Sequence, residues 1–154
     1  MIRSIAGVVL SLVAMAAFVF AGSIALWFAL GVDRVLAQGS FDGTLLLNGW
    51  SVAVSIVGAV AAGWLCFRIS ESRTAVIVLA CLCLVMGLGN ALGQRGKPEP
   101  GPRAPGLSVV EAVKLRKEPG WFTLLVPVVG VLGSLAGGGV LSRRFIALPD
   151  ARHA

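Results

Sequence analysis

Residues 44–69 read TLLLNGWSVAVSIVGAVAAGWLCFRI, and residues 74–93, which follow Ser70-Glu71-Ser72-Arg73, read TAVIVLACLCLVMGLGNALG. Apart from Arg68, close to the end of the first, neither stretch contains a charged side chain. Each is near the roughly 20 residues that carry a helix across about 30 Å of hydrocarbon. The short polar connection makes the two helices antiparallel, and the reading sets them side by side as a hairpin.

Two further blocks flank this pair. Residues 5–32 begin after Arg3 and end at Asp33-Arg34. That apolar run is about twice the roughly 7–15 residues of a signal peptide's core, so it reads as an uncleaved anchor. Cleavage near Ala21-Gly22-Ser23 is the alternative. Residues 121–142 form the last block, stopped by Arg143-Arg144. In lipid every backbone amide needs an internal partner, so blocks of this length are helices. The expected fold is all-α: a polytopic membrane protein, residues 1–154 forming one transmembrane domain with four spans, about 5–32, 44–69, 74–93 and 121–142.

Composition agrees. The chain is 57% hydrophobic and 13% charged, against about 45–50% and about 25% in soluble domains. Mean hydropathy is +0.92. A net charge of +6 raises the question of nucleic acid, but the basic residues cluster at block ends and in one loop, with no basic stripe carrying interleaved aromatics. They read as membrane-surface anchors, so no nucleic-acid partner is expected.

Residues 94–120 form the one long hydrophilic segment. Pro98, Pro100, Pro102 and Pro105 predict an extended polyproline II spacer. Ser108-Val109-Val110-Glu111 fits a capping box and predicts a short amphipathic helix over 108–117. Val109, Val110, Val113 and Leu115 would face the bilayer surface, opposite Glu111, Lys114 and Arg116, and the helix would end before Pro119.

Orientation rests on the basic residues. With the N-terminus cytoplasmic, Arg3, Arg68, Arg73, Arg143, Arg144 and Arg152 lie inside. Arg34, Arg95, Lys97, Arg103, Lys114, Arg116 and Lys117 lie outside. The totals do not discriminate, but the first three spans favour cytoplasmic N- and C-termini in a bacterial-type inner (plasma) membrane. Trp27, Trp50 and Trp121 would then mark the outer interface and Trp64 the inner one.

Charged residues at membrane depth usually mark proton relays and ion paths, and none lies well inside any block. The single histidine, His153, sits in the tail, and Cys81 and Cys83 at i, i+2 point about 200° apart on a helix. Asp33, Asp42, Glu71, Glu111 and Glu118 show no catalytic spacing. No enzyme, metal site or cofactor is expected. Asn48 and Asn90 fall at similar depth in an antiparallel pair, predicting an interhelical hydrogen bond; with Gln94 they are alternatively candidates for a polar vestibule.

Small residues recur every four positions: Ala17-Ala21-Ala25-Ala29, Ser55-Ala59-Gly63, Gly89-Gly93 and Gly133-Gly137. Gly130, Gly133 and Gly137 in the last span are the candidate helix-packing or oligomer interface. Pro127, two turns into that span, is a candidate hinge or a static kink.

Three functions compete. The first is an accessory or assembly subunit of a membrane complex, which needs a membrane protein partner besides the lipid bilayer. The second is a small homo-oligomeric channel or carrier for ions or small polar solutes. The third is a membrane-bound immunity or protective protein, for which no particular residue argues.

Overall fold

The computed structural model describes residues 2–37, 39–95 and 108–141. Among these, six helices follow in order: α1 (Ile2–Leu30), α2 (Val32–Val35), α3 (Leu45–Ser70), α4 (Arg73–Arg95), α5 (Val109–Leu115) and α6 (Gly120–Gly137). Among the described residues, α1, α3, α4 and α6 are long and apolar enough to cross a membrane. The chain is an all-helical, multi-pass membrane protein. The proline-rich stretch expected to form a polyproline spacer, with Arg143, Arg144 and His153, lies outside the described residues.

Local chemistry explains most boundaries. Gly31, at φ +74°, breaks α1 from the single turn α2. Thr44 caps α3, its hydroxyl oxygen accepting from the Leu47 amide at 3.4 Å. At the other end Glu71 adopts a left-handed conformation, and its amide bonds the Phe67 carbonyl at 2.8 Å. The last span is shorter than the sequence suggested, ending at Gly137 instead of residue 142. Gly139 turns left-handed at φ +67°, and the Val140 amide reaches back to the Leu135 carbonyl at 3.0 Å. A run of three glycines thus closes the helix with a Schellman turn.

The spans close a ring in the order α1, α3, α6, α4, with extensive contact along the first three seams and little between α4 and α1. The side-by-side hairpin of α3 and α4 does not form. Joined at Glu71-Ser72, the two helices splay into a V, and α6 occupies the gap. Glycine makes this possible: backbones approach where no Cβ intervenes, gaining dispersion contact where lipid supplies no hydrophobic drive. A Cβ on Gly63 would overlap the Ser134 carbonyl, and one on Gly137 would overlap the Val60 carbonyl. A Cβ on Gly133 would stand 2.7 Å from the Ala59 Cβ. On the α4 side, Gly87 receives the Pro127 ring, and Gly138 lies against Val76.

Two apolar clusters hold the ends. At the turn end, named for Glu71-Ser72, Val8, Ala62, Cys66, Ala75, Val76, Leu79 and Cys83 form a buried cluster. At the opposite, capped end, Leu26, Trp27, Val35, Leu36, Phe41, Leu47 and Ala112 form the second. Trp27 therefore does not mark a lipid interface; it is 3% exposed inside the cap's core. Trp50, Trp64 and Trp121 are exposed. The Trp50 indole donates to the Gly22 carbonyl at 2.9 Å, and Arg68 stacks over Trp64 at 5.8 Å.

Candidate functional site

The cap is built from two loops that the sequence separates widely. The chain after α2 folds back on itself: the Ala37 amide bonds the Asp42 carbonyl at 2.9 Å, and the Thr44 amide bonds the Val35 carbonyl at 3.1 Å. The Lys117 amide then donates to the Phe41 carbonyl at 3.0 Å, stitching the second loop to the first. α5 begins with the expected capping box. Ser108 and Glu111 exchange side-chain-to-backbone bonds, and the Ser108 hydroxyl donates to the Glu111 carboxylate at 2.7 Å. These bonds stabilise the charged form and hold the Glu111 carboxyl below the usual range for glutamate.

The face on which α5 docks differs from the expected one. Ala112 is fully buried and Val109 partly so, both against the cap cluster, while Val110 and Val113 stay exposed. Arg116 continues the buried side instead of the solvent side. The small Ala112 lets the helix approach the bundle, and the arginine has partners waiting beneath it.

Those partners define the site. The Arg116 Nη2 donates to Asn48 Oδ1 at 3.2 Å and lies 3.8 Å from Glu118 Oε1. Its guanidinium carbon sits 5.6 Å from the centre of the Phe122 ring, and Nε is buried without a partner among the described residues. Burial lowers the arginine's pKa from its ordinary value, opposed by the charge of Glu118. The guanidinium is still a cation, because arginine is not deprotonated in proteins.

Below Arg116 a cavity of about 160 Å³ opens between the helices. α1 contributes Val19 and Ser23, α3 Ser51 and Ser55, α4 Gly87 and Asn90, and α6 Phe122, Thr123, Val126 and Pro127; Arg116 and Glu118 complete it. Some of these groups are already satisfied, the Ser51 hydroxyl donating to the Leu47 carbonyl at 2.8 Å and that of Thr123 to the Gly120 carbonyl at 2.9 Å. Ser23, Ser55 and Asn90 make no side-chain hydrogen bond among the described residues. The site thus pairs one cation with one anion and adds three free polar groups, in a setting walled by apolar helices. Its charged and hydroxyl groups can bind and orient a polar ligand, and no three metal-ligating side chains gather among the described residues.

The sequence candidates separate here. Asn90 lines the cavity; Asn48 lies beneath Arg116 and does not. Asn48 has both ends of its amide engaged, donating to the Gly43 carbonyl at 3.1 Å and accepting from Arg116, so it is not bonded to Asn90. Gln94 is half-buried and outside the lining. Pro127 is buried, its ring seated on Gly87 within a continuous α6. Gly133 and Gly137 meet α3, and a Cβ on Gly130 would stand 3.5 Å from Cys83 of α4. Sequence reasoning missed Arg116, Glu118 and the serines. Ser51 and Ser55, at i, i+4 on the face that also presents Asn48, were the available signal.

No family profile, curated protein or solved structure matches this chain.

Proposed function

We propose that this chain is a non-catalytic protein of a bacterial-type inner (plasma) membrane, with both termini cytoplasmic, acting as an accessory or assembly subunit of a membrane complex. The observation that carries the reading is where small residues are left over. The bundle uses Gly63, Gly133 and Gly137 internally, but Gly89 and Gly93 of α4 have nothing within 4 Å of a Cβ position. Ala17, Ala21, Ala25 and Ala29 likewise line an exposed face of α1. Such faces suit a second helix in the membrane.

The test is extraction of the tagged chain in mild detergent. A stoichiometric second membrane protein should co-purify, and Gly89→Leu with Gly93→Leu should release it while leaving the chain's own thermal stability unchanged. Recovery of the wild type as a lone monomer counts against the proposal.

The polar cavity favours a second reading, a small homo-oligomeric channel or carrier for ions or small polar solutes. Neutral polar groups select solutes without a ring of charge. Solute flux into reconstituted vesicles, abolished by Asn90→Leu, distinguishes this reading; absence of flux across a broad solute panel retires it.

A further inference from the structure

We infer that the vestibule under the cap binds the headgroup of a phospholipid bearing a primary ammonium, admitted sideways from the bilayer between α1 and α4.

Arg116 has five N–H donors and places one hydrogen bond, to Asn48. Glu118 accepts no hydrogen bond among the described residues, and its 3.8 Å approach to Arg116 is too long to be one. Their side chains are 13% and 18% exposed. Two opposite charges largely withdrawn from water, each short of partners, are costly unless something supplies the missing bonds. A plain anion would satisfy Arg116 and be repelled by Glu118; a plain cation would meet the reverse. A zwitterion satisfies both, its phosphate on Arg116 and its ammonium on Glu118, with Asn90 and Ser55 free to bond either part.

The acceptors select the kind of ammonium. Glu118 and the hydroxyl of Ser55 reward N–H donors, which a quaternary amine lacks. Quaternary groups are held by aromatic cages, and the one aromatic ring in the lining, Phe122, already faces Arg116. An ethanolamine head therefore fits where a choline head does not.

Shape and access point to a lipid as the source. At roughly 30 Å³ per water, a cavity of about 160 Å³ holds about five waters, room for a headgroup but not for acyl chains. The ring of helices is tight from α1 through α3 and α6 to α4, leaving the α4–α1 seam as the loose one. At the turn end that seam is filled by Val8 and Leu79 and their neighbours. Nearer the cap, Ser23 and the exposed Asn90 stand on either side of the cavity. The cap lies over the end of the bundle, so a headgroup arrives through the seam and its acyl chains stay in the bilayer. The inference does not rest on the accessory-subunit reading: it concerns the isolated chain, and either can fail while the other stands.

The experiment is native mass spectrometry of the full chain, delipidated in detergent and offered phosphatidylethanolamine, phosphatidylcholine or phosphatidylglycerol at equal concentration. Phosphatidylethanolamine should be retained about tenfold over the other two, the discrimination expected of one charge-assisted contact. Glu118→Gln, which keeps the shape, should erase the preference over phosphatidylcholine. Ser55→Leu, which fills the cavity, should abolish retention of all three. Equal retention of ethanolamine and choline lipids by the wild type would overturn the inference, as would an unchanged preference in Glu118→Gln or a preference for phosphatidylglycerol. Soluble glycerophosphoethanolamine should compete poorly; competition equal to that of the lipid would overturn the lateral route.

Discussion

The two halves of this bundle solve opposite problems with the same four helices. At the turn end, backbones touch: Gly63 meets Ser134, Gly137 meets Val60, and a buried apolar cluster packs beside them. Towards the capped end the helices stand apart around hydroxyls, an amide and an ion pair, with two loops folded over them. One half is held by dispersion between small residues and the other by polar bonds and a separate core. Loss of a contact should therefore act locally, and differently, in each.

The largest effect is expected in the sealed half. Gly137→Val places a side chain against the Val60 carbonyl and should cost about 3 kcal/mol, the upper range for overpacking, read as unfolding in mixed detergent micelles. A loss below about 1 kcal/mol would mean that the helices separate easily there. Arg116→Met strikes the other half. It removes a charged hydrogen bond and leaves Asn48 Oδ1 and Glu118 without the guanidinium, at a cost of about 1.5–3 kcal/mol. Hydrogen exchange should accelerate over residues 108–119 while residues 58–63 and 133–137 stay protected; uniform acceleration would erase the distinction between the halves.

Smaller effects sharpen the same contrast. Ser108→Ala removes the cap of α5 and should cost about 1 kcal/mol locally. The wild-type cap should also weaken in acid. Glu111 has a lower pKa folded than unfolded, so its contribution is present above the unfolded value and lost as pH falls through the folded one. Exchange of the α5 amides against pH should show this loss in the wild type and much less of it in Ser108→Ala. Gly89→Ala, where a Cβ meets nothing within 4 Å, should not destabilise and should raise stability by at most about 1 kcal/mol, the helix-propensity gain over glycine.

Much of this architecture was legible in the sequence. Hydrophobic blocks of spanning length leave the backbone one way to satisfy itself, so the four helices followed directly. The capping box did too, because its partners are three residues apart. Helix order around the ring did not, since a two-residue turn fixes where α3 and α4 join but not whether they stay together. The surplus of glycine in and just after α6 held the answer: a helix between two others needs small residues on two faces, with Gly133 and Gly137 towards α3, and Gly130 and the capping Gly138 towards α4. Arg116 was the hardest to read. A charge beside Lys114 and Lys117 looks solvated, and its burial depends on Asn48, 68 positions away, and on Phe122.

Whether a polar vestibule opens near the cap and ends blindly against the other half of the bundle is tested by thiol accessibility in native membranes. In a background of Cys66→Ser, Cys81→Ser and Cys83→Ser, single substitutions Asn90→Cys, Ser55→Cys, Ala62→Cys and Ser134→Cys are exposed to a small, water-soluble, membrane-impermeant thiol reagent. Modification is expected at 90 and 55 and not at 62 and 134. Modification at 134, or its absence at both 90 and 55, would contradict a blind-ended vestibule.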